Sequence, residues 1–138
     1  MKVEYKTNAP ISADQFIELL CKSTLGERRP IEDRRCIEGM IENSNLMVSA
    51  WVENRLIGIA RSITDFNYAC YLSDLAVDKK YQNDGIGKKL QIIIQENLGP
   101  KCKLILISAP DAGSYYEHIG FTHNQQCWVL ERDQSIRY

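Results

Sequence analysis

The period of apolar positions changes several times along this 138-residue chain, and each change marks an element. Val3 to Thr7 alternates as a short strand would. Ile11-Ser12-Ala13-Asp14 then opens a helix, with Ser12 as N-cap and Gln15 placed to complete a capping box. Phe16, Ile17, Leu19 and Leu20 supply its apolar side. Gly26 and Pro30 break the chain, and a shorter helix is predicted from Ile31 or Glu32 to Ile41, carrying Ile37, Met40 and Ile41 at helical spacing.

After Asn43-Ser44-Asn45 the pattern becomes extended. Leu46 to Val52 and Leu56 to Ile63 flank Glu53-Asn54-Arg55, which predicts a hairpin turn. A third strand spans Cys70 to Val77. A glycine-containing turn leads into a helix from about Gly85 to Leu98, with Ile86, Leu90, Ile93, Ile94 and Leu98 on its buried side, stopped by Gly99-Pro100. Lys103 to Ser108 is apolar on both faces, as a central strand would be. A short helix, Ala112 to His118, and a last strand, Gln126 to Glu131, complete the series. The order β-α-α-β-β-β-α-β-α-β predicts an α/β (α+β) fold in which helices cover a mixed, mostly antiparallel sheet.

Composition narrows the class. A hydrophobic fraction of 44% and a charged fraction of 25% are globular averages, so an intrinsically disordered chain is excluded. The length suits one domain, residues 1–138, with a core and a ligand cleft. Net charge is −1 with scattered basic residues, so no overall field favours nucleic acid or an anionic membrane. Cys21, Cys36, Cys70, Cys102 and Cys127 form no CxxC pair, which argues against a zinc or dithiol site and for free thiols, with Cys70, Cys102 and Cys127 in apolar runs. The N-terminus lacks the apolar stretch of a signal peptide, and no apolar run is long enough to span a membrane. The expectation is a soluble, cytoplasmic protein.

The chemistry concentrates in Leu75-Ala76-Val77 and the segment that follows, Asp78 to Lys88. A strand ends, a polar turn follows, and a helix starts at Gly85 and Gly87. Helix starts expose unpaired N–H groups and the positive end of the macrodipole, and glycines let an anion approach that backbone closely. Phosphate binding follows from this, with Lys88 and Lys89 adding charge. A Walker A loop would need glycine where Gln82 stands and Ser or Thr where Lys89 stands; a dinucleotide fingerprint would need glycine where Leu90 stands.

What remains, Gln82-Asn83-Asp84-Gly85-Ile86-Gly87 after Leu75-Ala76-Val77, resembles the acyl-CoA signature [Q/R]-x-x-G-x-[G/A] of the GNAT superfamily. Further on, Ala112-Gly113-Ser114-Tyr115-Tyr116-Glu117-His118-Ile119-Gly120-Phe121 is similar to the family's A-x-x-[F/Y]-Y-x-x-x-G-F block. The resemblance implies the GNAT fold, with about six to seven strands and about four helices. It implies acetyl-CoA as co-substrate and no metal. Leu75, Ala76 and Val77 would hold the pantetheine arm, and Gln82, Asn83, Asp84, Gly85, Ile86, Gly87 and Lys88 the pyrophosphate. Tyr116 would protonate the departing CoA thiolate, while Tyr115, one turn from Ile119, is expected in the core.

Departures from the pattern matter. Ala109 stands where the family often carries a cofactor-contacting Asn, and Ser73 where spermidine/spermine-type relatives carry the Glu that serves as base. Asp74 is the candidate base if a β-bulge redirects it, with a water chain or a structural Asp as the alternatives. His118 and His123 are expected at the surface or at a strand end. The implied reaction moves acetyl to a primary amine of a small molecule by direct attack in a ternary complex. The alternatives are a non-catalytic acyl-CoA-binding or regulatory module and an enzyme for protein or peptide amines. By resemblance a homodimer is also open, with Trp128, Val129 and Leu130 serving either an interface or the core.

Overall fold

The computed structural model describes residues 2–138. These divide into two compact units, residues 2–107 and 108–138. The first carries β1 (Glu4–Thr7), α1 (Ala13–Lys22), a 3-10 turn (Leu25–Arg28), α2 (Arg34–Glu42), β2 (Leu46–Val52), β3 (Arg55–Thr64), β4 (Ala69–Val77), a second 3-10 turn (Lys79–Tyr81), α3 (Ile86–Glu96) and β5 (Lys103–Ile105). The second carries α4 (Gly113–His118). This is the mixed α/β architecture that the periodicity predicts.

The sheet runs β1-β2-β3-β4-β5, antiparallel up to β4, with β5 parallel to β4. Its two faces bury separate clusters. On one, Ile86, Leu90 and Ile94 of α3 pack on Leu46, Val48, Ala50 and Ala60. On the other, Phe16, Leu19 and Leu20 of α1 and Ile37 of α2 pack on Met47, Trp51, Ile59 and Ala76. The Ser12–Gln15 capping box is formed: Gln15 N–H donates to Ser12 Oγ at 3.1 Å and Ser12 N–H to Gln15 Oε1 at 3.0 Å. Gly58 lets α3 lie close on the sheet, since a Cβ there would stand 3.2 Å from Ile86 Cγ2 and 3.3 Å from Leu90 Cδ1.

Two bulges interrupt the ladders. One skips Ile57 between the Ala50–Gly58 and Trp51–Leu56 pairs. The other skips Ser73, because Arg61 pairs with Asp74 while Ser62 pairs with Leu72. An extra residue reverses the facing of everything beyond it. Cys70 and Leu72 therefore face α3, whereas Asp74 and Ala76 face the α1–α2 side.

Several expectations are corrected. The β2–β3 turn is two residues, Glu53 and Asn54 at φ 50° and 66°, and Arg55 already belongs to β3. Positive φ at both central residues matches the right-handed twist of a tight hairpin. β5 is three residues long and lies at the sheet edge, where a central strand to Ser108 was expected. Its pairing ends at Tyr71–Ile105, just before the Ser73 bulge bends β4 away. Gln126 to Glu131 forms no strand, so the described residues hold five strands, against the six to seven expected. Strand propensity is realised on a half-buried pleated surface, and Trp128 in this segment is 91% exposed. Val129, Leu130 and Cys127 are exposed too, so they join neither core cluster.

Candidate functional site

The two faces of the sheet leave one edge open. β4 pairs with β5 only through Ala69, Cys70 and Tyr71, so from Leu72 to Val77 it has no partner on that side. Asp78 N–H donates to Ile57 O at 2.9 Å, toward β3. Peptide groups alternate along a strand, so Val77 and Leu75 turn theirs to the open edge. Gln82 agrees with this placement, its Nε2 donating to Val77 O at 3.1 Å.

The strand runs directly into the turn. Asp78 caps the second 3-10 turn, accepting from Lys80 N–H at 2.9 Å. Asn83 and Gly85 then take left-handed backbones at φ 74° and 75°. Gly85 is the N-cap of α3 and provides no side-chain cap. The first intrahelical bond runs from Lys89 N–H to Gly85 O at 3.0 Å, which leaves the N–H groups of Ile86, Gly87 and Lys88 for an external acceptor. A Cβ at Gly85 would touch nothing within 4 Å, so glycine is favoured there by backbone angle rather than by space. Gln82, Asn83, Asp84, Gly85 and Lys88 are exposed, Gly87 is half-buried, and Ile86 anchors the helix in the core. The open β4 edge and the uncapped helix start are consecutive in the chain, and together they fit an arm ending in a pyrophosphate.

Asp74 is buried, and each of its carboxylate oxygens is held by an arginine. Arg29 Nε donates to Oδ1, and Arg61 Nε to Oδ2. Arg29 also donates to Ser73 O at 2.9 Å and to Arg28 O at 2.9 Å. Arg61 donates to Ser73 Oγ and Ser44 Oγ, both at 2.9 Å, and to Met40 O at 3.2 Å. The bulge does redirect Asp74, and it delivers the carboxylate into an ion-pair network. Arg29 was foreseen only as one of the mixed charges on the first two helices, and Arg61 was not foreseen at all. A lone arginine inside the apolar run Leu56 to Ile63 was the available signal.

Within the second unit, Tyr116 packs edge-on against Tyr115 at 5.1 Å and Phe121 at 5.5 Å between ring centroids. Phe121 N–H donates to Tyr116 O at 2.9 Å, and Gly120 makes the reversal at φ 111°. The expected roles of the two tyrosines in packing are exchanged: Tyr115 is exposed and Tyr116 is half-buried. The return of Phe121 over the helix covers Tyr116, which simple helical spacing does not anticipate. Burial pushes the Tyr116 phenol above the usual tyrosine range, with Tyr115 adding a smaller push. His118 and His123 are exposed.

No helix of the described residues is long and apolar enough to cross a membrane. Residues 25–130 match the family model of the acetyltransferase (GNAT) domain. The uncharacterized N-acetyltransferase ycf52-like protein of Prochlorococcus marinus is 32% identical over 112 residues, covering 77% of this chain and 61% of that protein. This chain spans about three-fifths of the length of the curated relatives it matches, at 59% and 61% for two of them. Among solved structures, a Staphylococcus aureus protein named a probable acetyltransferase superposes with a TM-score of 0.76 at 22% identity, covering 99% of this chain and 100% of that one. The aminoglycoside N-acetyltransferase AAC(6')-Iy, solved in complex with CoA, gives 0.71 at 13% identity over 96% of this chain and 95% of its own. By its family model and by its fold, the chain belongs to the GNAT acetyltransferase family.

Proposed function

We propose that this chain moves an acetyl group from acetyl-CoA to a primary amine of a small molecule, by direct attack in a ternary complex. The observation that carries the reading is the continuity between the unpaired Leu72–Val77 edge and the uncapped start of α3. When bound, acetyl-CoA supplies the activated thioester. Leu75, Ala76 and Val77 line the arm, with the backbone of Leu75 and Val77 donating and accepting, and an N–H near Val77 polarises the thioester carbonyl. The turn from Gln82 to Lys88 holds the pyrophosphate through the free α3 amides.

The amine nitrogen attacks the carbonyl carbon, the C–S bond breaks, and Tyr116 donates its phenolic proton to the thiolate. A phenol is protonated at neutral pH, the form a donor needs, and burial raises this one further above the usual range. Water takes the proton lost by the amine. Both oxygens of Asp74 are already engaged, which favours a positioning role for this residue over that of a base. The family model spans parts of both compact units, which supports one acetyltransferase domain over residues 1–138.

The deciding experiment measures free-thiol release from acetyl-CoA with a panel of small amines, peptides and no acceptor. Amine-dependent release with a mass gain of one acetyl group on a small amine is the expected result. Acetyl-CoA binding without transfer to any acceptor would replace this reading with a non-catalytic binding module. Transfer to peptides alone would replace the small-molecule acceptor.

A further inference from the structure

Arg29, Asp74 and Arg61 place two guanidinium groups around one carboxylate, a surplus of one positive charge. Among the described residues, the ion pairs provide no second carboxylate for either arginine; Asp14 and Glu38 are taken up by Arg34, and Glu18 by Lys22. The two arginines differ in what they have left to give. A guanidinium has five N–H donors. Arg61 makes four bonds, to Asp74, Met40, Ser44 and Ser73, and only 6% of its side chain is exposed. Arg29 makes three, and its side chain is 23% exposed. The open side of the cluster, with its two unpartnered donors, therefore belongs to Arg29.

Its position is also defined. Arg29 closes the first 3-10 turn between α1 and α2, and donates to the carbonyl of Ser73. Ser73 is the bulge residue, immediately before the part of β4 proposed to hold the thioester. A fixed, half-buried guanidinium with free donors next to the reacting bond would attract an anionic oxygen of the acceptor. It would also repel a second ammonium.

We infer that Arg29 binds a carboxylate of the acceptor, and that the preferred acceptors are small amines carrying a carboxylate, such as free amino acids, rather than polyamines. This inference rests on the acetyltransferase reading above and names its substrate class. An incoming carboxylate balances the cluster at two positive and two negative groups. Asp74 holds the Arg29 fork in place from below, so it is a positioning residue for this contact.

Matched acceptor pairs test the idea: amino acids against their carboxamides, and lysine against 1,5-diaminopentane. With the unaltered protein, the carboxylate member should show a kcat/KM at least about tenfold higher. Arg29→Gln should erase that ratio while the KM for acetyl-CoA stays within about twofold, and Arg29→Lys, which keeps the charge without the fork, should restore part of it. If Arg29→Gln fails to fold, the ratio measured with the unaltered protein decides alone. Equal acetylation within the pairs, or preference for the diamine, overturns the role of Arg29 and leaves the enzyme reading standing. Acetyl-CoA binding with no acetylation of any amine overturns both.

Discussion

Arg61 on β3 and Asp74 on β4 are register partners whose side chains form a buried ion pair on the face covered by α1 and α2. The pairing depends on Ser73. Were Ser73 paired in an unbroken alternating strand, Asp74 would share the α3 face with Leu72, among aliphatic side chains and away from both arginines. A carboxylate buried there without partners would be far less stable than the one observed.

The first prediction follows from that pair. Asp74→Ala leaves two guanidiniums facing each other, and Arg61→Met leaves Asp74 with Arg29 alone. Breaking a buried pair costs about 3–5 kcal/mol, so Asp74→Ala should lower the melting temperature more than Arg61→Met. The double variant should be less destabilised than the sum of the two, as read by a double-mutant cycle in urea. Additive losses would show that the two side chains are not coupled.

Gly85 carries the second. Its φ of 75° lies in the left-handed region, while a Cβ would meet no atom. Gly85→Val therefore brings backbone strain without a clash, about 1–2 kcal/mol for an L-residue. Relieving it means re-forming the α3 start, where the free amides lie. Calorimetry should show acetyl-CoA affinity reduced about tenfold or more with the fold retained, whereas Gly39→Ala, with open space and an ordinary backbone, should bind normally. Unimpaired binding by Gly85→Val would remove the turn from the site.

For Tyr116 the prediction concerns rate and pH. Loss of a general acid costs about 10²–10⁴-fold, so Tyr116→Phe should lower kcat by about 10²-fold with acetyl-CoA binding little changed. Because burial raises this phenol, it stays protonated to a pH above the usual tyrosine value of about 10. Any fall in rate due to Tyr116 ionisation should then appear only beyond that value, and be absent from Tyr116→Phe. An unchanged kcat in the variant would exclude the role.

What was legible in the sequence is what period and local caps determine. The Ser12–Gln15 box, the amphipathic α1 and α3 and the strand–turn–helix at Gly85 all rest on contacts a few residues apart. The bulge at Ile57 was not legible, because an inserted residue leaves no mark in composition, and the one at Ser73 entered only as the condition for redirecting Asp74. The Arg29–Asp74 contact joins residues 45 positions apart, so nothing local signals it. Arg61 was more accessible. It sits in a buried strand and needs a carboxylate, and Asp74 is the only acidic residue in β4. The segment around Trp128 shows the opposite failure, where local β propensity predicted a strand that has no pleated surface to join.

The last prediction concerns Asp65, which organises the β3–β4 connection. Its Oδ1 accepts from the N–H groups of Asn67, Tyr68 and Ala69 at 3.0, 2.8 and 3.0 Å. These bonds, that from Tyr68 first and then those from Ala69 and Asn67, hold the carboxyl below its usual range. A depressed folded-state value means that the fold prefers the carboxylate. The stabilisation is thus present above the unfolded carboxylate value of about 4 and lost as pH falls through the folded one. Asp65→Asn keeps an acceptor oxygen but removes the titration. Melting temperature followed from neutral to acid pH should fall less steeply for Asp65→Asn than for the unaltered protein below about pH 5. The gap between them should therefore narrow toward acid, and parallel curves would show that the turn carries no proton-linked stability.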